Sequence, residues 1–259
     1  MNFLAGLFTI SRNTFREAVR DRILYNLVFF VLLITAAAVF LGELTAGNEA
    51  RVIVNLGLTT VLFFGAFIAI FVGVGLVSKE IERRTVFAIF SKPVTRGEFI
   101  VGKYLGLCLT LLVNVAVMAL GIVLALLYVG GAALIESVLA AILLIYFELI
   151  LLTAIAILFS TFSSPTLSAL LTFLIFVIGH FSSALAQIAG SIGSTSAKFF
   201  FHALYYFLPN LSFFSFITGA AHGQTPDFVY LATAFGYALI YVVILLSIAS
   251  FIFGRRNFK

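Results

Sequence analysis

The stretch "SKEIERRTVFAIFSKPVTRGEFIVGK" occupies Ser78 to Lys103, between two long apolar runs. The chain carries 25 charged residues in 259, and nine of them fall between Lys79 and Lys103. Hydrophobic residues make up 63% of the sequence and charged residues 10%, against roughly half and a quarter in a soluble domain. No soluble fold of this length hides that much Phe, Leu, Ile and Val, so the composition reads as an integral membrane protein. The quoted stretch is then a charged island between membrane spans. The single cysteine, Cys108, closes no internal disulfide and offers no metal-ligand spacing.

A span needs about 20 apolar residues to cross a hydrocarbon core of roughly 30 Å. Six stretches reach that length: Leu24–Leu41, Val52–Val77, Tyr104–Val129, Leu134–Phe159, Thr166–Ile188 and Phe228–Phe253. Only the polar turn from Ser160 to Pro165 separates the fourth from the fifth, and no internal repeat is visible. Thirteen of the 15 Lys and Arg residues lie in the N-terminal segment, the charged island and the C-terminal tail; only Arg51 and Lys198 lie on the opposite side. The positive-inside rule therefore expects both termini and the island in the cytoplasm, with the chain multi-pass in the cytoplasmic (inner) membrane. The same placement accounts for the isoelectric point of about 9.5 without a nucleic-acid partner. No cleavable signal peptide is expected, because four arginines interrupt the first 22 residues.

The expected fold class is an all-α polytopic membrane protein, one transmembrane domain over residues 1–259. Residues 1–23 read as a helix lying in the cytoplasmic interface against membrane lipid. Leu4, Leu7, Phe8, Phe15, Ala18 and Val19 fall on one side of it, and Arg12, Arg16 and Arg20 form a stripe beside them. A basic flank that only sets topology is the alternative. Residues 189–227 are mostly apolar but interrupted by Pro209, Asn210 and Gly219. They read as a re-entrant outer segment before the last span, because irregular backbone at membrane depth must be buried in protein or line a cavity.

The island, residues 78–103, divides in two. Ser78–Ser91 has helical composition, with Val86, Phe87, Ile89 and Phe90 as apolar positions, and Lys92-Pro93 ends it. Thr95 can then cap a new helix, with Glu98 three residues on as its capping-box partner. Mixed charge with exposed aromatics suits docking to another protein; a positive-inside anchor on the lipid surface is the other reading.

The pattern Glu80, Glu82, Thr85, Val86–Phe90, Ser91, Pro93, Arg96 and Gly102-Lys103 resembles the signature of the type-2 ABC exporter permeases. Arg84 departs from it, standing where many members carry Gly. Glu-Ile-Glu-Arg-Arg-Thr, from Glu80, and Leu-Pro-Asn, Leu208–Asn210, are most similar to the branch containing the permease of the nitrous-oxide reductase maturation transporter. The resemblance implies that the island is a coupling helix seated on a separate ATPase subunit, with Glu80, Glu82, Arg83, Arg84, Thr85, Phe87, Phe90, Ser91, Pro93, Arg96 and Lys103 as its coupling residues. It also implies two permease copies, expected as a homodimer, with two ATPase copies. ATP and Mg would then be bound by the partner, with no cofactor in this chain. No Gly-x-x-x-x-Gly-Lys-Ser/Thr loop occurs here to cradle a phosphate.

Among polar residues within the spans, Glu148 lies in the middle of the fourth, where a charge costs about 2–3 kcal/mol. It reads as a gate, substrate contact or proton-linked switch, or as a protonated acid bonded to a neighbouring helix. His180 and Asn114 are the other substrate-path candidates; bonds across helices are the bland account of both. Glu148 and His180 lie about 14 and 18 residues from the turn joining their antiparallel spans, a mismatch of about 6 Å along the axis, so they can pair. Gly57, Gly65, Gly73 and Gly75 suit either dimerisation or tight bundle packing. The leading function is the permease of an ATP-driven exporter. An assembly scaffold with the same ATPase, a secondary transporter and an intramembrane enzyme are the rivals. The last two lack the repeats and the catalytic motifs they would require.

Overall fold

The fold comes from a computed structural model describing residues 3–19, 22–43, 45, 47–82, 95–182, 198–199 and 208–255. These residues form helices, short 3-10 turns and connecting loops, with no strand among them. In chain order the helices are α1 (Phe3–Val19), α2 (Arg22–Glu43), α3 (Glu49–Glu82), α4 (Arg96–Tyr128), α5 (Ile135–Ser160), α6 (Pro165–His180), α7 (Ile217–Ala221) and α8 (Phe228–Arg255).

Local chemistry sets the helix ends. Thr95 accepts from the Glu98 amide at 3.2 Å while the Glu98 carboxylate accepts from the Thr95 amide at 2.7 Å, so the expected capping box starts α4. At its other end Gly130 adopts φ +77. The amides of Gly130 and Gly131 donate back to the Leu127 and Leu126 carbonyls, a Schellman closure that a side chain at Gly130 would strain. Pro165 begins α6 at a position where its missing amide costs nothing.

The central helix is α5. Seventeen of its 26 residues are buried, and its apolar residues face all round, as a helix surrounded by others requires. It packs against α3, α4, α6, α7 and α8. Glycines let α3 come close to these neighbours: a Cβ at Gly57 would meet Ile122, at Gly65 Leu149, and at Gly73 Ala156 and Leu107. Of the two roles open to these residues, intrachain packing takes Gly57, Gly65 and Gly73. By contrast α8 is peripheral. It buries only a narrow line, Ala234, Ala238, Val242, Leu246, Ala249 and Phe253, and exposes Phe235, Leu239, Ile240, Val243, Ile244 and Phe251.

Four helices are long and apolar enough to cross a membrane among the described residues: Glu49–Leu76, Arg96–Tyr128, Ala132–Ser160 and Phe228–Arg255. Two further expected spans are matched by helices with shorter apolar stretches among the described residues. The first corresponds to α2, with its apolar described part at Val31–Gly42; the fifth corresponds to α6, Pro165–His180. Residues 183–188 of that fifth stretch lie outside the described residues. At 34 and 33 residues, α3 and α4 run about 50 Å each, some 20 Å beyond a bilayer core. Ser78–Glu82 continues α3 without a break instead of starting a new helix, because nothing in Val77–Glu82 stops one. The proline break expected at Lys92-Pro93 lies outside the described residues.

Beyond α6, Leu211–Phe214 forms a 3-10 turn and α7 follows. Leu211, Phe214, Ala220 and Ala221 are fully buried against the bundle. Asn210 organises this segment: its side-chain oxygen accepts from Ser182 at 2.5 Å and Ser212 at 2.6 Å, and its backbone N–H donates to the Tyr237 hydroxyl at 2.8 Å. Ser137 donates to the Ala220 carbonyl and so ties α7 to the start of α5.

Helix α1 packs along the first turns of α4. A Cβ on Gly106 would sit 2.6 Å from the Ser11 carbonyl oxygen, a backbone atom that cannot step aside. Gly106→Ala is therefore expected to lower the thermal stability of the detergent-solubilised protein by about 1–3 kcal/mol and to speed proteolysis within α1. Gly236→Ala, where a Cβ meets nothing within 4 Å, should leave stability unchanged or raise it by up to about 1 kcal/mol. Equal melting curves for the two variants would refute this account of the α1–α4 contact.

Candidate functional site

The start of α4, the end of α8 and helix α1 meet at one end of the bundle. Arg96, the first residue of α4, donates from Nη1 to the carbonyls of Gly254 (2.6 Å) and Phe253 (3.2 Å). Three residues on, Phe99 stacks on Phe253 with ring centroids 5.6 Å apart and planes within 15°; both rings are buried. Lys103, 5% exposed, reaches Glu17 of α1 at 3.4 Å and lies over the Phe99 ring. Ser11 donates to the Gly102 carbonyl at 3.2 Å. Bonds from a cation to helix-end carbonyls are worth about 1–3 kcal/mol.

The coupling residues inferred from the resemblance divide accordingly. Arg96 and Lys103 are engaged within the bundle. The backbones of Glu80 and Glu82 lie in the last turn of α3. Arg83, Arg84, Thr85, Phe87, Phe90, Ser91 and Pro93 lie outside the described residues. Sequence reasoning missed Phe253, Gly254 and Glu17 as partners. The only signal was a basic residue beside a helix N-terminus, where a cation opposes the helix dipole unless something else compensates it.

Around α1 the faces separate cleanly. Gly6, Thr14 and Ala18 are buried toward α4, Phe8 is 69% exposed, and Arg12 and Arg16 are exposed on the adjoining arc. This is the order an interfacial helix needs, with one side on protein, one on acyl chains and one on headgroups.

The pairing expected across the α5–α6 turn is present. Glu148 Oε1 lies 3.4 Å from His180 Nε2, a contact whose angles fall short of a hydrogen bond. Glu148 is fully buried, about 18 Å from the end of α5. His180 Nδ1 lies 3.0 Å from the Phe176 carbonyl. An acceptor there requires the Nδ1 proton, so Nε2 is the nitrogen left to share a proton with the acid. Asn114 does not join them: its amide donates to Thr110 of its own helix at 2.7 Å. Thr60, Thr153 and Thr172 bond their own helices in the same way.

A groove of about 460 Å³ separates α3 from α6, lined by Phe71, Val74, Gly75, Pro165, Ala169 and Phe173 among others. Beside it runs a line of α3 with Asn55, Thr59, Phe63 and Phe71 exposed and Phe67 half-buried, the three Phe rings in successive contact. No group of three His, Cys, Asp or Glu side chains that could hold a metal occurs among the described residues. His222 is exposed and bonded to Thr218.

Long apolar helices around a central buried helix, with basic ends gathered together, define a multi-pass membrane protein. A family described as ABC-2 family transporter protein matches residues 8–258, nearly the whole chain, so the chain belongs to the ABC-2 transporter family. It is a membrane component of an ABC transporter, a family whose permeases pair with an ABC ATPase subunit. No curated protein matches it.

Glu148 and His180 are close enough to couple energetically. A double-mutant cycle with Glu148→Gln and His180→Ala, read by thermal unfolding in detergent, is expected to give a coupling of about 0.5–2 kcal/mol. Strict additivity would show that the contact is incidental. A parallel cycle between Asn114→Ala and His180→Ala should be additive.

Proposed function

We propose that the chain is the permease subunit of an ATP-driven exporter in the cytoplasmic membrane, powered by a separate ATPase that docks on the charged island. The observation that carries this reading is the placement of the island. It joins the overhanging end of α3 to the capped start of α4, at the end of the bundle where Arg12, Arg16, Arg96, Lys103 and Arg255 gather. A docking element held between two rigid helices that stand off the bilayer can receive force from a soluble partner. That end is the cytoplasmic one in this reading, as the positive-inside rule demands, and both termini and six spans follow. Glu80, Glu82, Arg83, Arg84, Thr85, Phe87, Phe90, Ser91 and Pro93 form the docking element; Arg96 and Lys103 anchor it to the bundle. ATP and Mg are held by the partner.

The functional unit is two permeases and two ATPase subunits. The face between the permeases is the exposed line of α3 with the neighbouring surface of α6. Among the described side chains of α3 this line is the apolar stretch most open to the outside, and it carries Asn55 and Thr59 outward. Outward polar side chains on a span need a protein partner or a wet path. A two-fold interface places this line against its own copy. The α3–α6 groove opens beside that face, and its aromatic and aliphatic lining suits a lipidic or amphipathic substrate. The Glu148–His180 pair then acts as a gate between α5 and α6. As a neutral acid and a neutral imidazole the two groups can part without leaving a bare charge in the membrane. Within the family, the Glu-Ile-Glu-Arg-Arg-Thr and Leu-Pro-Asn motifs resemble the nitrous-oxide reductase maturation branch, and that resemblance supports reading the chain with it.

Two measurements test this. Purification from gently solubilised native membranes should bring down ATPase activity, and Arg83→Glu with Arg84→Glu should abolish its recovery while leaving the permease folded. Recovery of the same activity with both charges reversed would refute docking at the island. With Cys108→Ser as background, Phe67→Cys should form a disulfide-linked dimer under mild oxidation in membranes, and Leu120→Cys, on the far side of α4, should not. The opposite pattern would move the permease interface elsewhere.

A further inference from the structure

We infer that Arg96 is a positioning residue that carries the stroke of the charged island into the last helix, α8, so that α1, α4 and α8 move as one body during the transport cycle. The inference rests on the reading of the island as a coupling element. It goes beyond that reading by naming where the force goes.

Three features of the contact support it. First, Arg96 is electrostatically misplaced for its own helix. It occupies the first position of α4, at the positive end of that helix dipole. Glu98 at the third position is committed to the capping box with Thr95. What favours a guanidinium here is the negative end of another helix, and both Nη1 bonds go to the last carbonyls of α8. Second, the contact spans 157 and 158 residues of sequence and fixes the end of α8 to the start of α4. Helix α8 buries a narrow line of side chains along the bundle, and its first half is tied to the segment before α7 through Tyr230 and Tyr237. The Arg96 bonds and the buried Phe99–Phe253 stack pin its other end in position. Third, Lys103 and Ser11 fasten α1 to the same turns of α4. Any displacement entering α4 through Thr95 therefore meets two attached helices before it reaches the α4–α5 interface.

The alternative is that Arg96 merely stabilises the bundle end. The two roles differ in what happens when nucleotide is turned over. Hydrogen exchange is measured on the permease–ATPase complex as isolated, with and without trapping by ATP and orthovanadate. In the native complex, trapping is expected to change exchange in the first turns of α4 and in residues 245–255 of α8 together. In the Arg96→Gln complex the α4 response should remain and the α8 response should be lost. Arg96→Lys, which keeps a cation and a donor, should restore it. A purely structural residue would raise exchange at the end of α8 in every state without removing the response to trapping. The inference is overturned if α8 responds equally in Arg96→Gln. It is overturned as well, without any variant, if α4 responds in the native complex and α8 does not. If neither helix responds while the complex still hydrolyses ATP, the coupling reading itself fails. Arg96→Met, close in shape and uncharged, serves as a second test protein if Arg96→Gln does not assemble.

Discussion

Hydrocarbon offers no hydrogen bonds, and that constraint organises this molecule. Every polar group carried into the bundle must find a partner inside it. Most do so locally. Thr35, Thr60, Thr110, Thr153 and Thr172 bond the carbonyl four residues back, and Asn114 does the same through its amide. These residues cost little and hold no helices together. Among the described residues, the polar side chains that reach across elements are therefore conspicuous, among them Glu148 to His180, Asn210 to Ser182, Ser137 to Ala220, Tyr146 to Cys108, Lys103 to Glu17, and Arg96 to the end of α8. Each lies where two elements meet whose relative position matters, and together they mark the joints of the bundle.

Between those joints the packing is close and apolar, achieved by removing side chains. In lipid the association of helices gains little from hiding apolar surface and depends on contact distance. Gly57, Gly65 and Gly73 bring α3 onto α4 and α5, and Gly102 and Gly106 bring α1 onto α4. The result is a rigid centre, α3–α4–α5, with α8 held along a thin seam and α6 bounded by an open groove. Under the proposed function, a soluble partner on the charged island would act on the end of α3 and the start of α4 together.

The family assignment and the geometry answer different questions. The match to ABC-2 transporters spans residues 8–258 and establishes that the chain is a transport component. The geometry shows which described residues of the signature belong to the internal joints. Arg96 and Lys103 stand in the signature beside Glu80 and Glu82, yet their side chains turn inward to α8 and α1.

Much was legible in the order of residues alone, for physical reasons. Membrane integration follows from composition, because nothing else hides so many apolar side chains. The long helices follow from span length, the start of α4 from the Thr95–Glu98 spacing, and the Glu148–His180 contact from counting rise per residue on either side of a short turn. These are local or nearly one-dimensional constraints. What only the tertiary structure decided is which face of each helix meets which neighbour. The glycines of α3 could serve a dimer or the bundle; contact with Ile122, Leu149 and Ala156 shows the bundle. Asn114 could cross to another helix; its own Thr110 carbonyl is nearer. Arg96 read as a coupling residue of the signature, and only the arrival of α8, more than 150 residues later in the chain, placed two carbonyls in its reach. Helices in lipid carry little amphipathic pattern to say which side faces in, so partner choice is settled by three-dimensional packing.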